Sequence, residues 1–310
     1  MIISRPPFSI WTLYPRHDSC FPVPALHLVA SHVDPRVRLA TPPRVPGCGS
    51  ITVAASGGRS RVTRAFAASP LRLLTPRNHG SASWIYTSTF GGGLVGGDAF
   101  DLGIDVLDGA NAYVSTQSAT KVYRSPSATS VALRATIARD ATLVIAPDPV
   151  ICFAGSSYRQ VQHFDLHPEA SLVFVDWLSS GRHASGERWQ FDRYESRMIV
   201  RRGGRTIVHE ALLLSPDHGP LPERIGRFES LLVAIVMGPA VAAGAAAALT
   251  RIEGQPLGRR APEIVSASRL DGGCLIRIAG ISVEQTGSTL RDLLGFVPSL
   301  LGDDPWARKW

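Results

Sequence analysis

Residues 90–110 read FGGGLVGGDAFDLGIDVLDGA. Within them, residues 91–96 satisfy the dinucleotide pattern G-x-G-x-x-G letter for letter. That pattern holds a phosphate only where a strand turns through the glycines into a helix whose free N-terminal amides face the pyrophosphate. A preceding strand fits, because Trp84, Ile85, Tyr86 and Phe90 lie in a segment rich in β-formers. The helix is missing. After the glycines Phe100, Leu102, Ile104 and Val106 alternate with Asp101, Gly103 and Asp105, the two-residue period of a half-buried strand, and Asp108-Gly109 closes it as a turn. No Lys-Ser or Lys-Thr follows, so a P-loop is excluded as well. The glycines therefore join two strands, where they supply positive φ or let backbones approach closely.

Outward from this segment strands recur. Val131, Leu133, Ala135 and Ile137 alternate with Ala132, Arg134 and Thr136. Residues 142–146 form a short apolar run ended by Pro147, and residues 172–177 are apolar except for Asp176. Residues 189–200 and 206–214 continue the pattern around a Gly203-Gly204 turn. Many short strands with few helices before Pro239 predict a mainly β fold, a β-helix-like stack of short strands with two α-helices. The helices are expected over residues 239–251 and 289–301; in the second, Leu290, Leu293, Leu294, Val297 and Leu301 form a stripe behind a Ser288 N-cap. Residues 231–249, LLVAIVMGPAVAAGAAAAL, are uncharged and long enough to raise the question of a membrane span. Gly238-Pro239 divides them, so they read as a buried strand over 231–237 and a helix with Pro239 near its first turn.

A chain of 310 residues with 45% apolar and 18% charged residues can bury a large core. Residues 1–46 are crowded with prolines and show neither periodicity, which predicts an extended or disordered extension ahead of one β-rich domain over 47–310. Pro6, Pro7 and Pro15 also interrupt any apolar core of a signal peptide. The net charge of +7 suggests a basic face. The arginines are scattered and no RNP motif, zinc finger or basic helix occurs, so an acidic protein partner accounts for the charge as well as nucleic acid does. Cys20, Cys48, Cys152 and Cys274 are widely spaced without a CxxC pair, which points to free thiols in a reducing, cytoplasmic setting.

For chemistry, G-x-S-x-G and H-E-x-x-H are both absent, since His209-Glu210 continues into Ala-Leu-Leu. His163 and His167 flank a strand end before Pro168, where a helical ligand pair cannot form. Strands could still bring distant acids together, so a β-helical carbohydrate-active enzyme stands as an alternative, with a basic nucleic-acid-binding module beside it. More informative are acids in apolar surroundings: Asp176 in LVFVDWL, Glu210 in TIVHEALLL, Asp98 after the glycines and Glu187 in SGRHASGERW. A buried carboxylate is costly unless paired, hydrogen-bonded or beside water. Either each forms a salt bridge to an arginine such as Arg182 or Arg188, or together they line an internal polar path for a cation.

Three motifs carry a resemblance: FGGGLVGGD at 90–98, STQSATKVYRS at 115–125, and FVDWLSSGRHASGERWQFDRYESR at 174–197. In this order and spacing, from about Gly49 to the C-terminus, the chain resembles the UreD family of urease accessory proteins, called UreH in some organisms. The resemblance implies a non-enzymatic, β-rich scaffold. Its implied partners are the UreF-like helical accessory protein, through it a UreG-like GTPase, and apo-urease subunits, with no membrane and no nucleic acid. It also implies a water-filled, carboxylate-lined passage for nickel, with Asp98, Thr120, Asp176 and Glu210 at the matching positions and no permanently bound cofactor. Oxygen ligands hold Ni²⁺ loosely, which suits transit better than a thiolate or imidazole trap. The glycines at 91–97 are then expected to aim Asp98 inward.

Overall fold

The computed structural model describes residues 47–256, 258 and 260–307. The proline-rich extension expected over 1–46 lies outside them. The first strands are β1 (Cys48–Ser56), β2 (Arg59–Ala67), β3 (Leu71–Leu74), β4 (Ser83–Thr89), β5 (Ala99–Val106), β6 (Asn111–Thr116), β7 (Thr120–Val122) and β8 (Thr129–Ile137). They continue with β9 (Thr142–Ile145), β10 (Val150–Cys152), β11 (Ser157–Leu166), β12 (Ser171–Ser179), β13 (Arg193–Arg202), β14 (Arg205–Leu214), β15 (Ser230–Met237), β16 (Glu263–Leu270) and β17 (Gly273–Gly280). The class is mainly β, as the alternation predicts.

Among the described residues the strands form two sheets. The smaller runs β14-β13-β11-β8-β5-β1-β2, and the larger β16-β17-β15-β12-β9-β6-β4-β3, with β10 beside β12 and β7 beside β10. From β4 to β13 successive long strands alternate between them. β4, β6, β9 and β12 add in parallel to the larger sheet, and β5, β8, β11 and β13 add in parallel to the smaller. The glycine-rich segment thus carries the chain from one sheet to the other. Gly91 and Gly92 turn there at φ 87° and 73°, and a Cβ on Gly93 would lie 2.5 Å from the Tyr123 ring.

Phe100, Leu102, Ile104 and Val106 are buried between the sheets, on the face that their alternation assigns them. Phe164 of β11 and Phe174 of β12 meet across this core with ring centroids 4.8 Å apart. The opposite face of the larger sheet carries a second core, in which Trp84, Tyr113, Val173 and Val236 meet the helices. The central strands of the larger sheet are therefore covered on both faces, which is why residues 231–237 read as a continuous apolar run and residues 172–177 as one broken only by Asp176.

Four α-helices occur among the described residues: α1 (Leu221–Ile225), α2 (Ala242–Glu253), α3 (Val283–Leu293) and α4 (Val297–Leu301). The uncharged stretch 231–249 divides at Gly238-Pro239 into β15, a single 3₁₀ turn and α2. No helix of the described residues is long and apolar enough to cross a membrane. The helix expected over 289–301 is two: α3 starts six residues earlier, and the chain breaks before α4. Its N-cap is Ser282, not Ser288; the Ser282 hydroxyl accepts from Gln285 N–H at 3.3 Å. Gly287 and Ser288 mimic a helix boundary in the sequence, yet Gly287 lies inside α3 because a Cβ there would stand 3.0 Å from the Trp177 ring. Ser282→Ala is expected to cost about 1 kcal/mol by orphaning the cap, read as a lower urea midpoint with an unchanged slope; no shift would show that the cap is dispensable.

Two further expectations are corrected. The strand expected from residue 189 begins at Arg193, because Trp189 takes a left-handed φ of 54° and donates its indole N–H to the Phe228 carbonyl at 2.8 Å. Cys152 and Cys274 are free and buried, but Cys48 is disulfide-bonded. Spacing along the chain does not limit pairing in space.

Candidate functional site

Along the inward face of β11 the side chains run Tyr158, Gln160, Gln162, Phe164, all buried. Two inward amides in a core strand need partners; the next strands supply them for Gln160, whereas the buried Gln162 Oε1 has none among the described residues. Tyr194 and Ser196 face inward from β13, and Asp176 reaches the same spot from β12 in the opposite sheet. Gln160 Nε2 donates to Asp176 Oδ1 at 2.6 Å, and Ser196 Oγ donates to Asp176 Oδ2 at 2.6 Å. Tyr194 donates its hydroxyl to Oδ1 at 3.3 Å. The Tyr158 hydroxyl donates to Gln160 Oε1 at 3.2 Å, which fixes the amide so that its NH₂ faces the carboxylate.

Asp176 is therefore held by neutral donors. It takes part in no ion pair within the described residues, which removes the salt-bridge explanation for this residue. Arg182 pairs with Glu187, with Nε 3.0 Å from Oε2, and Arg188 pairs with Glu229. Glu187 fits the salt-bridge reading: the Arg182 hydrogen bond holds its carboxyl below the usual range. Burial pushes the Asp176 carboxyl above the usual aspartate range, and the bonds from Ser196, Gln160 and Tyr194 offset this only in part. Burial likewise raises the Tyr158 and Tyr194 hydroxyls well above the ordinary tyrosine value, so both remain donors.

The carboxylate stands at a break in the larger sheet. On one side β12 pairs with β9 up to Phe174↔Ile145, then with β10 from Leu178↔Val150. Between those registers runs Ala-Pro-Asp-Pro (146–149), where Pro147 and Pro149 offer no N–H and cannot continue a ladder. One strand further on, β6 and β7 are likewise interrupted, at residues 117–119. The aligned interruptions open a cavity of about 180 Å³, lined among others by Thr116, Thr120, Asp148, Gln162 and Asp176. A second cavity, of about 330 Å³, is lined by Asp176, Tyr194, Glu210, Leu231, Val233 and Arg277. Asp176 lines both.

Of the four positions expected to form a passage, Thr120, Asp176 and Glu210 lie in this pair of cavities. Glu210 is ion-paired there, with Arg277 Nη2 2.7 Å from Oε2 and Nε 3.3 Å from Oε1. Asp98 lines neither cavity. Its Oδ2 accepts the Val95 N–H at 2.9 Å and its own N–H bonds the Val95 carbonyl, so it closes the glycine turn on itself instead of pointing inward. Gln160, Gln162, Tyr194 and Ser196 were missed in the sequence, although two inward polar positions in YRQVQHF were legible as a departure from an apolar face.

Two sheets wound by one chain, with an interior carboxylate on two cavities, define a mainly β protein with a polar interior. No group of three His, Cys, Asp or Glu residues able to hold a metal ion occurs among the described residues. The family model described as UreD urease accessory protein matches residues 46–310, and the chain belongs to that family. Over 265 residues, 85% of this chain and 84% of the relative, it is 50% identical to "Urease accessory protein UreD" of Sorangium cellulosum strain So ce56. It is 42% identical over 264 residues (84% and 89%) to the protein of the same name from Anaeromyxobacter sp. strain Fw109-5. To "Urease accessory protein D" of Oryza sativa subsp. indica it is 32% identical over 289 residues, 83% of this chain and 94% of the relative.

Proposed function

We propose that this chain is a non-catalytic scaffold of urease maturation in the cytoplasm. It binds a UreF-like helical accessory protein, through it a UreG-like GTPase, and apo-urease, and it passes nickel toward the urease active site through the cavities that share Asp176. Nickel is cargo here and not a resident cofactor. The observation that carries the reading is a carboxylate held only by neutral donors where two cavities meet. An arginine partner would cancel its field; hydroxyl and amide donors orient it and leave its charge to attract a cation. Thr120 on one side supplies a further oxygen atom, and Glu210 on the other does so only where Arg277 releases it; oxygen donors bind Ni²⁺ weakly enough to release it.

The test is maturation of urease in cells with and without this chain. Omitting it is expected to leave urease assembled but nickel-poor, and a tagged chain is expected to retain urease subunits and the helical accessory protein. Urease that reaches full nickel content without the chain would sink the proposal.

A pH dependence follows from the raised Asp176 carboxyl. The ionised form attracts the cation, so transfer in a reconstituted reaction should decline as pH falls, and begin to do so at higher pH than an ordinary aspartate dictates. The decline should vanish in Asp176→Asn. An equal acid sensitivity in that variant would place the titrating group elsewhere.

A further inference from the structure

The 180 Å³ cavity reaches the surface between Gly92 and the exposed Gln117 and Ser118. Beside this opening the surface is unusual in two ways. Phe90 and Val95, on either side of the glycines, are 55% and 54% exposed, the most exposed of the large apolar residues described. Around them stand three exposed cations, Arg72, Lys121 and Arg124. The Arg72 guanidinium lies 4.7 Å over the Phe90 ring. Lys121 accepts the Leu94 N–H on its carbonyl at 2.8 Å, beside Gly93, and the next residue but one, Tyr123, bonds the Leu94 carbonyl through its N–H at 2.9 Å. Arg124 follows it at the outer edge of the rim, its side chain lying over Gly155, where a Cβ would stand 3.2 Å from the Arg124 Cδ. None of the three cations has a carboxylate partner among the described residues. Asp98, the acid of the same loop, is occupied by the Val95 N–H.

We infer that this rim is a docking surface for an acidic face of a protein partner, with an apolar recess for Phe90 and Val95. The inference rests on the maturation reading above and adds where the cavity is met and by what chemistry. Uncompensated cations next to exposed apolar side chains match a partner of opposite charge at the edge of an apolar contact. They also oppose entry of a bare divalent cation at the opening. A docked acidic face cancels that repulsion, so the opening admits cargo only while the partner is present. A rim built to take the cation directly from solvent would carry acids.

The experiment co-expresses the tagged full chain with the urease subunits and the other urease accessory proteins, and quantifies which of these co-purify. The variant is R72E/K121E/R124E, with R72K/K121R/R124K as the charge-conserving control. Charge reversal is expected to lower retention of one directly bound protein, and of any protein held only through it, by about tenfold or more while the others stay, and the control is expected to behave as wild type. Wild-type retention of the same protein should weaken between about 0.1 and 0.5 M salt, as surface charge is screened. Reversal that leaves every protein at its wild-type level overturns the inference. So does reversal that releases only nuclease-sensitive nucleic acid. A wild-type chain that retains none of the urease proteins overturns the maturation reading and this inference with it. Lys121→Glu alone, expected to lose retention by about threefold, decides the matter if the triple variant aggregates.

Discussion

Asp176→Asn is expected to lower the nickel content of urease matured with it by about tenfold or more, the scale on which a charged cleft concentrates counter-ions, while fold and partner binding persist. The amide keeps the carboxylate's shape. Its oxygen still accepts from Gln160 and Tyr194, and the Ser196 hydroxyl can rotate to accept the new NH₂. No arginine is ion-paired to Asp176, and Arg277 across the second cavity is taken by Glu210, so neutralising Asp176 strands no buried cation, in contrast to breaking an ion pair. The sign for stability follows from the raised carboxyl. A folded-state pKa above the unfolded one contributes stability below the unfolded pKa and loses it as pH rises through the folded value. The ionised form of Asp176 therefore costs stability, and the Asn variant should melt at the wild-type temperature or above it. Urease nickel content and the melting temperature of the same variant decide the case. Normal nickel content would remove Asp176 from the path, and a much lower melting temperature would assign it a structural role.

Gln160→Leu is expected to destabilise the fold by about 2–3 kcal/mol, because it leaves the buried Tyr158 hydroxyl without its acceptor and takes one donor from a buried charge. Leucine matches the volume closely, so a cavity contributes little. Losing a donor to the ionised form raises the Asp176 carboxyl further, so the deficit should be larger at neutral pH than in acid. Urea unfolding at two pH values checks this. In the double variant with Asp176→Asn the two effects should not add, since both side chains belong to one network. A loss below about 0.5 kcal/mol, or strict additivity, would mean that Gln160 does not hold the carboxylate.

Local periodicity went far toward the architecture. Phe100, Leu102, Ile104 and Val106 declared one buried face, because a strand's side chains alternate whatever it pairs with. The same reasoning read residues 231–249 as strand then helix, since Gly-Pro interrupts either element. It failed at α3, where Gly287 and Ser288 look like punctuation; there packing against Trp177 favours a residue without a side chain, and a tertiary contact overrode propensity.

The site divides in the same way. An aspartate in LVFVDWL was marked by chemistry alone, because a charge in an apolar run demands compensation. What compensates it was settled in three dimensions. Arg182 and Arg188 are near in sequence but are taken by Glu187 and Glu229, while Gln160, Tyr194 and Ser196 reach Asp176 from the opposite sheet. Asp98 and Glu210 show the limit from the other side. Both were picked as acids at matching positions, yet one closes a turn and the other pairs with Arg277, 67 residues away. By itself the sequence determined the mainly β class and the presence of a carboxylate in need of partners. Only the tertiary structure decided which carboxylate faces a cavity, because side-chain direction depends on register between strands distant in the chain.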